Sequence, residues 1–297
     1  MKVSLIIPTL NAEKFLKKLL FNASALQNLK PDEIIVVDSS SEDRTVEIAK
    51  DFGCKVFSIP REKFNHGGTR TFAGKKAKGD ILIYLTQDAL PYDADSFKNL
   101  VNFLISDENL AGVYGRQIPY PDADILAKFF RYLNYPEKSF IREYKDKEIW
   151  GRKTVFFSNS FSAYKKDLLE KIGWFKDNLI AYEDIYIAGK FLLNGYKIGY
   201  CAEAKVIHSH KISFKKEFER HFKLGMFFRE ENWIIKAFGK KPKKEGIYMI
   251  KEYINFAKKE KNLKSVFKFL ALVYLRKLAW FLGYHYKYLP DFLVSKK

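Results

Sequence analysis

Val3-Ser4-Leu5-Ile6-Ile7-Pro8-Thr9-Leu10-Asn11 and, further on, Glu33-Ile34-Ile35-Val36-Val37-Asp38 are built alike. Each is a short apolar run ending on polar residues, the pattern of a strand buried on both faces. Between them Asn11 is placed to cap a helix, and Phe15, Leu16, Leu19, Leu20 and Ala23 share one side of it. Strand, helix and strand in this order form the unit of a parallel sheet with helices packed on it.

The unit continues outward. Ser41-Glu42-Asp43 opens a second helix with acidic first-turn residues, and Gly53 closes it. Lys55-Val56-Phe57 reads as a third strand, Thr69 as the cap of a helix ending near Gly79, Ile81 to Leu85 as a fourth strand and Ala111-Gly112-Val113-Tyr114 as a fifth. The prediction is an α/β fold: a Rossmann-like mixed, mainly parallel sheet with helices on both faces. Ligands of such sheets bind outside the carboxyl ends of the strands. That rule puts Thr9, Asn11, Asp38, Thr86, Gln87 and Asp88 at the ligand edge. Residues 116–210 are mixed. Phe156-Phe157-Ser158-Asn159 and Phe161-Ser162-Ala163-Tyr164 read as short strands around a turn, and Asp184 to Leu193 as a helix stopped by Asn194-Gly195. From about Ser213 the chain reads as helical and basic, broken by the Lys-rich bend 239–244.

The 297 residues carry a net charge of +18, unevenly spread. From Lys211 to Lys297 there are 22 Lys and Arg against 8 Asp and Glu, a net of +14, which leaves +4 for residues 1–210. A nearly neutral domain is thus followed by a segment that attracts polyanions, nucleic acid or an anionic membrane face. Cys54 and Cys201 make neither a disulfide framework nor a metal-type spacing, which fits a reducing compartment. Pro8 stops the N-terminal apolar run short of an export signal, and no run is long enough to span a bilayer.

Five places carry chemistry. Asp38 ends an apolar strand and suits hydrogen bonds from a base or, equally, a helix cap. Asp88 in Leu85-Thr86-Gln87-Asp88 is either an oxygen ligand for a cation or a loop carboxylate before Pro91. Phe64-Asn65-His66-Gly67-Gly68-Thr69-Arg70 joins paired glycines, a helix start and a planar cation, three features that suit phosphate, or is a glycine turn before a helix with Arg70 on a solvated face. Glu183-Asp184 offers a general base beside a structural carboxylate, or helix-start acidity. His208 and His210 alternate at a strand end as metal ligands, phosphate donors or structural residues.

Together, Pro8-Thr9-Leu10-Asn11, Val37-Asp38-Ser39-Ser40-Ser41, Thr86-Gln87-Asp88 and Glu183-Asp184 resemble a family-2 inverting glycosyltransferase of the GT-A fold, over roughly residues 1–225. The Phe64 to Arg70 run and the Thr-Gln-Asp form are similar to its rhamnosyltransferase branch. The resemblance implies a GT-A domain at 1–212, donor-binding over 1–115 and acceptor-side over 116–212, followed by a basic amphipathic helical region at 213–297. It implies Asp184 as catalytic base, with Glu183 and Asn159 in support. Pro8, Thr9, Asn11, Asp38, Arg70, Gln87 and His208 would contact the donor. Asp88 and His208 would hold Mg²⁺ or Mn²⁺. Thr86 stands where the family's metal motif has its first aspartate, and Ser39 where a second aspartate follows Asp38. A cation would therefore rest largely on Asp88 and the donor's own phosphates.

The implied reaction is transfer of L-rhamnose from dTDP-rhamnose to a glycan or polyprenyl-linked acceptor in bacterial surface polysaccharide synthesis, with a UDP-sugar as the alternative donor. Residues 263–289 alternate apolar patches with cations and suit a helix lying on an anionic membrane surface, which places the protein on the cytoplasmic face of the cell membrane. The charge and the 16% aromatic content also fit a nucleic-acid-binding protein, but the excess of cations lies outside the α/β part and no RNA-recognition or zinc motif is present, so no specific nucleic acid is expected. A nucleotidyltransferase would carry a glycine-rich basic loop after its first strand, which Pro8-Thr9-Leu10-Asn11-Ala12 is not.

Overall fold

A computed structural model describes residues 1–179, 181–239 and 245–290. Beyond Gly239 the Lys-rich bend lies outside the described residues. One sheet contains β1 (Val3–Thr9), β2 (Glu33–Asp38), β3 (Lys55–Ser58), β4 (Ile81–Leu85), β5 (Leu90–Pro91), β6 (Leu110–Ile118), β7 (Phe140–Arg142), β8 (Phe161–Lys165) and β9 (Lys197–Ile207). Its order is β3-β2-β1-β4-β8-β6-β9-β5, with β7 also on β9. The first four strands are parallel. β8 runs antiparallel between β4 and β6, and β9 lies parallel to β6.

The apolar runs are buried on both faces because alternate side chains enter two cores. Ile6, Ile35, Val37, Leu82 and Tyr84 face one core. Leu5, Ile7, Val36, Ile81, Ile83 and Leu85 face the other. The second core is covered by α1 (Glu13–Phe21), α2 (Thr45–Asp51) and α4 (Ser96–Ile105). The first is covered by α3 (His66–Lys76), α7 (Lys166–Lys171), α8 (Glu183–Leu193), α9 (Phe214–Glu230) and α10 (Asn232–Phe238). The expected mixed sheet with helices on both faces is what forms. Phe227, Phe228, Ile234 and Phe238 carry that core past residue 213.

Local capping differs from the sequence reading. Asn11 does not cap α1. It sits at φ 47 and its Oδ1 accepts from the Glu42 amide at 2.9 Å, while Asp43 Oδ2 accepts from the Glu13 amide at 3.1 Å. The carboxylate of the next loop thus does the capping. Phe15 is exposed, because Leu16, Leu19 and Leu20 alone complete the buried stripe. Asn65, not Thr69, caps α3: its Oδ1 accepts from the Gly68 amide. Thr69 is buried inside the first turns. Phe156 to Asn159 pairs with no strand and leads into β8 as a loop and turn.

The remaining helices are α5 (Ile125–Asn134), α6 (Lys147–Trp150), α11 (Glu245–Lys259) and α12 (Ser265–Tyr284). Phe129, Phe130, Tyr253, Phe269 and Leu272 join α5, α11 and α12 in a smaller third core. α12 runs beside α9 in the same direction, with Glu217 to Arg276 near one end and Glu230 to Lys287 at the other. Glycine allows their close approach: a Cβ on Gly283 would meet Phe222 O at 2.0 Å, and one on Gly225 would meet Trp280 O at 2.2 Å. Among the described residues no helix is long and apolar enough to cross a membrane.

Candidate active site

The carboxyl ends of β1, β2 and β4 open into a cavity of about 470 Å³, lined by Pro8, Thr9, Leu10, Ser39, Arg61, Phe64, His66, Arg70, Thr86, Gln87 and Asp88. Its floor is fixed by Gln87, whose Oε1 accepts from the Leu10 amide at 2.8 Å while its Nε2 donates to Leu10 O at 3.1 Å. Asp38 is buried behind this wall. Its Oδ1 accepts from Thr9 Oγ1 at 3.0 Å and Ser41 Oγ at 2.5 Å, so in this structure it ties the β1 and β2 loops together. Asn11 likewise ties loops.

A second cavity, of about 490 Å³, is lined by Asn159, Ser160, Tyr182, Glu183, Asp184 and the α9 residues Lys216, Glu219, Arg220 and Lys223. His66, Arg70 and Thr86 border both cavities. The two are therefore neighbours across one short wall, with Asp184 on the far side from Thr9 and Pro8.

Glu183 and Asp184 start α8 and carry opposite electrostatics. Glu183 is 5% exposed and Arg70 is 4% exposed, and Arg70 Nη1 lies 3.2 Å from Glu183 Oε1. Burial works to raise the Glu183 pKa, but Arg70, then His66, then the Asn159 amide outweigh it, and the carboxyl is held below its ordinary value. Among the described residues Asp184 is in no ion pair. Burial first, and the Glu183 charge second, push its pKa up to about 7. Its Oδ1 accepts from the Ile185 amide at 2.8 Å and its Oδ2 from the Asn159 amide at 3.3 Å. A carboxylate tuned near neutrality at a cavity wall is suited to general-base work.

Asn159 orients the pair. Its Nδ2 donates to Glu183 Oε1 at 3.0 Å, and its Oδ1 accepts from Tyr164 OH at 2.6 Å and Ser162 Oγ at 2.9 Å. Tyr182, which sequence reasoning did not single out, precedes the pair in the left-handed region at φ 68. A non-glycine residue there is strained. It is clamped by its hydroxyl, which donates to Arg220 O at 2.6 Å, and by its ring against Phe227.

The glycine pair of the Phe64 to Arg70 run has a local use. A Cβ on Gly67 would sit 2.1 Å from Lys176 O, and one on Gly68 would sit 2.3 Å from Asp177 Oδ1. The close approach they permit is to the chain itself. Arg70 Nε is buried without a partner.

At the other end of the first cavity, Asp88, His208 and His210 bring one ligand atom each to within 4.8 Å of one another. His208 Nε2 is 3.4 Å from Asp88 Oδ1 and His210 Nε2 is 3.8 Å from Asp88 Oδ2. Gln117 Nε2 donates to Ser158 Oγ, so its Oε1 faces His208 Nδ1 at 2.9 Å and accepts from it. That bond holds the ring by Nδ1 and turns Nε2 toward Asp88, the arrangement of a supported metal ligand. The donor set of one carboxylate and two imidazoles fits a divalent transition ion better than Mg²⁺, which demands oxygen. His210, which the alternating spacing offered beside His208, is the member that the family resemblance did not assign.

Residues 4–173, more than half the chain, match the profile of the family described as "Glycosyl transferase family 2". The chain is 42% identical over 296 residues to the "O-antigen chain rhamnosyltransferase RfbN" of Salmonella typhimurium, covering 98% of this chain and 92% of that one. It is 38% identical over 292 residues to the "O-antigen chain rhamnosyltransferase WbaN" of Salmonella anatum, covering 97% and 90%. Among solved structures it superposes on a mannosyltransferase of Pyrobaculum calidifontis, in complex with GDP-Man and Mn²⁺. There the TM-score is 0.59 at 19% identity, over 94% of this chain and 72% of that one.

Proposed function

The chain belongs to glycosyl transferase family 2 and is a glycosyltransferase of the GT-A fold, and from that premise we propose an inverting rhamnosyltransferase. Its donor is dTDP-rhamnose, and its acceptor is a hydroxyl of a glycan or polyprenyl-linked sugar in bacterial surface polysaccharide synthesis. Identity of 42% along nearly the whole of an O-antigen chain rhamnosyltransferase supports the donor and the pathway. The observation that carries the chemistry is the pair of cavities meeting at His66, Arg70 and Thr86, with Asp184 in the second.

The assignment of parts follows. Residues 1–115 hold the donor, residues 116–212 together with the α9 wall form the acceptor side, and the described helices beyond α9 form the helical region. The nucleoside lies against Pro8, Thr9, Leu10 and Ser39, and the diphosphate lies toward Arg70 and Asp88. Asp184 takes the proton of the acceptor hydroxyl, whose oxygen attacks the anomeric carbon from the face opposite the diphosphate. Glu183, held charged beside Arg70, raises the Asp184 pKa and keeps it basic, and the Asn159 amide aims it. A divalent cation held by Asp88, His208 and His210 supplies Lewis acidity to the departing diphosphate when bound.

Release of nucleoside diphosphate from dTDP-rhamnose, UDP-glucose and UDP-GlcNAc tests the donor. The expected preference for dTDP-rhamnose is about 100-fold in kcat/KM, the size of discrimination an apolar pocket gives against a sugar that adds a hydroxyl. A UDP-sugar turned over as fast would remove the donor assignment. For the metal, we expect Mn²⁺ to bind the chelator-stripped protein more tightly than Mg²⁺, read by electron paramagnetic resonance. His210→Ala should weaken Mn²⁺ by about 10- to 100-fold. Equal affinity for the two ions, or a silent His210→Ala, would count against the three-residue site.

The helical region supplies a membrane-facing surface. Leu263, Phe267, Leu270, Tyr274, Leu278 and Phe281 recur at three- and four-residue steps, Tyr288 follows seven residues on, and all are exposed, Phe267 at 81% and Tyr274 at 70%. Lys261, Lys264, Lys268, Lys277 and Lys287 flank them. An apolar row edged by cations suits the interface of an anionic bilayer, and the protein is proposed to sit peripherally on the cytoplasmic face. Phe267→Glu with Tyr274→Glu should abolish flotation with anionic liposomes. Flotation of the variant equal to that of the parent would rule this face out.

A further inference from the structure

The wall of the second cavity that the reaction above leaves unused is α9. Lys216, Arg220 and Lys223 follow one another at four- and three-residue steps, and all three border the cavity of Asp184. All three are exposed. Lys216 and Lys223 enter no ion pair among the described residues. Arg220 pairs with Glu217 at 2.9 Å, but the same carboxylate oxygen is also held by Arg276, so one anion is divided between two guanidiniums. The acidic residues of this cavity do not balance the cations. Glu183 is committed to Arg70, Asp184 is the base, and Glu219 is the one carboxylate left on the α9 wall.

Open cations on a cavity wall recruit an anion, and a guanidinium flanked by two ammonium groups matches phosphate oxygens. The donor's diphosphate is provided for elsewhere, on the Asp88 side of Arg70. We propose that Lys216, Arg220 and Lys223 form an acceptor subsite that binds a phosphate or diphosphate group carried next to the reacting sugar. The subsite rests on the glycosyltransferase reading and adds the substrate class: a phosphate-linked glycan rather than a neutral one.

The packing of the helices gives the subsite its reach. α9 is pressed backbone to backbone against α12 through Gly225 and Gly283. The helix that holds the anion and the helix that carries the exposed apolar row therefore form one rigid unit. A phosphate ester anchored at a lipid surface would be delivered to the wall of Asp184 without leaving that surface.

The test uses the full chain saturated with dTDP and Mn²⁺, so that the donor site is filled. Calorimetry then measures binding of inorganic diphosphate and of farnesyl diphosphate. Both should bind the parent, and Lys216→Gln with Lys223→Gln should weaken both by about 10-fold or more. The affinity for dTDP, measured separately, should stay within about two-fold, and Lys216→Arg with Lys223→Arg should restore probe binding. The ratio of the two probes reports the lipid tail: tighter farnesyl diphosphate assigns a lipid-linked source, and equal binding assigns the anion alone. Unchanged probe binding in the Gln variant, or an equal loss of dTDP affinity, overturns the subsite. Absence of turnover with every sugar nucleotide would overturn the reaction while leaving the probe result standing.

Discussion

Asp184→Asn is expected to lower kcat by about 10³-fold or more while leaving the donor Kd within about two-fold. The asymmetry follows from position. Asp184 lines the second cavity and is absent from the lining of the first, where the donor is proposed to sit. Asparagine keeps the shape and can still accept from the Asn159 amide, so the loss isolates basicity. In the parent, kcat/KM should rise with pH through about 7, because the base works only once its proton has left. Stability gives a second readout. The folded pKa of Asp184 is raised, so the stability linked to its proton is present below the unfolded value and lost as pH rises through about 7. Asp184→Asn should therefore stabilise the protein by a few kcal/mol at pH 8 and have little effect near pH 4. A variant with near-native turnover would show that the base lies elsewhere.

Much of the sheet was legible because strands buried on both faces appear as unbroken apolar runs. Ile34 to Val37 and Ile81 to Leu85 have no other economical reading. The insertion of β8 between β4 and β6 was not legible, since it joins segments far apart in sequence and leaves no local mark. Neither were β5 and β7, which are too short to carry a pattern. In the site, the order of Asp38, Arg70, Asp88 and Asp184 was enough to suggest the reaction, but their contacts were not. Gly67 and Gly68 look the same in sequence whether a phosphate or Lys176 O comes close. His210 becomes a partner of Asp88 only because β9 lies against β5 and β6. Capping failed at Asn11 and Thr69 for one physical reason: several side chains near a helix start can accept its amides, and tertiary position chooses among them.

Arg70→Met is expected to be the most damaging change to the fold itself. Arg70 and Glu183 are both nearly inaccessible, so removing the guanidinium leaves a carboxylate buried beside Asp184 without its cation. Breaking such a pair costs about 3–5 kcal/mol. Arg70→Met with Glu183→Gln removes both charges and keeps an acceptor for Asn159 Nδ2, so thermal unfolding should show most of that loss recovered. Activity separates this from packing alone. Arg70 lowers the Asp184 pKa and Glu183 raises it. The acidic limb of kcat/KM should therefore move to higher pH in Arg70→Met and to lower pH in Glu183→Gln, with the double variant between them. Two limbs that moved the same way, or did not move, would mean that Glu183 does not set the basicity of Asp184. Opposite shifts would show a buried ion pair tuning Asp184, and would explain why an arginine beside the first cavity has one of its nitrogens turned toward a carboxylate in the core.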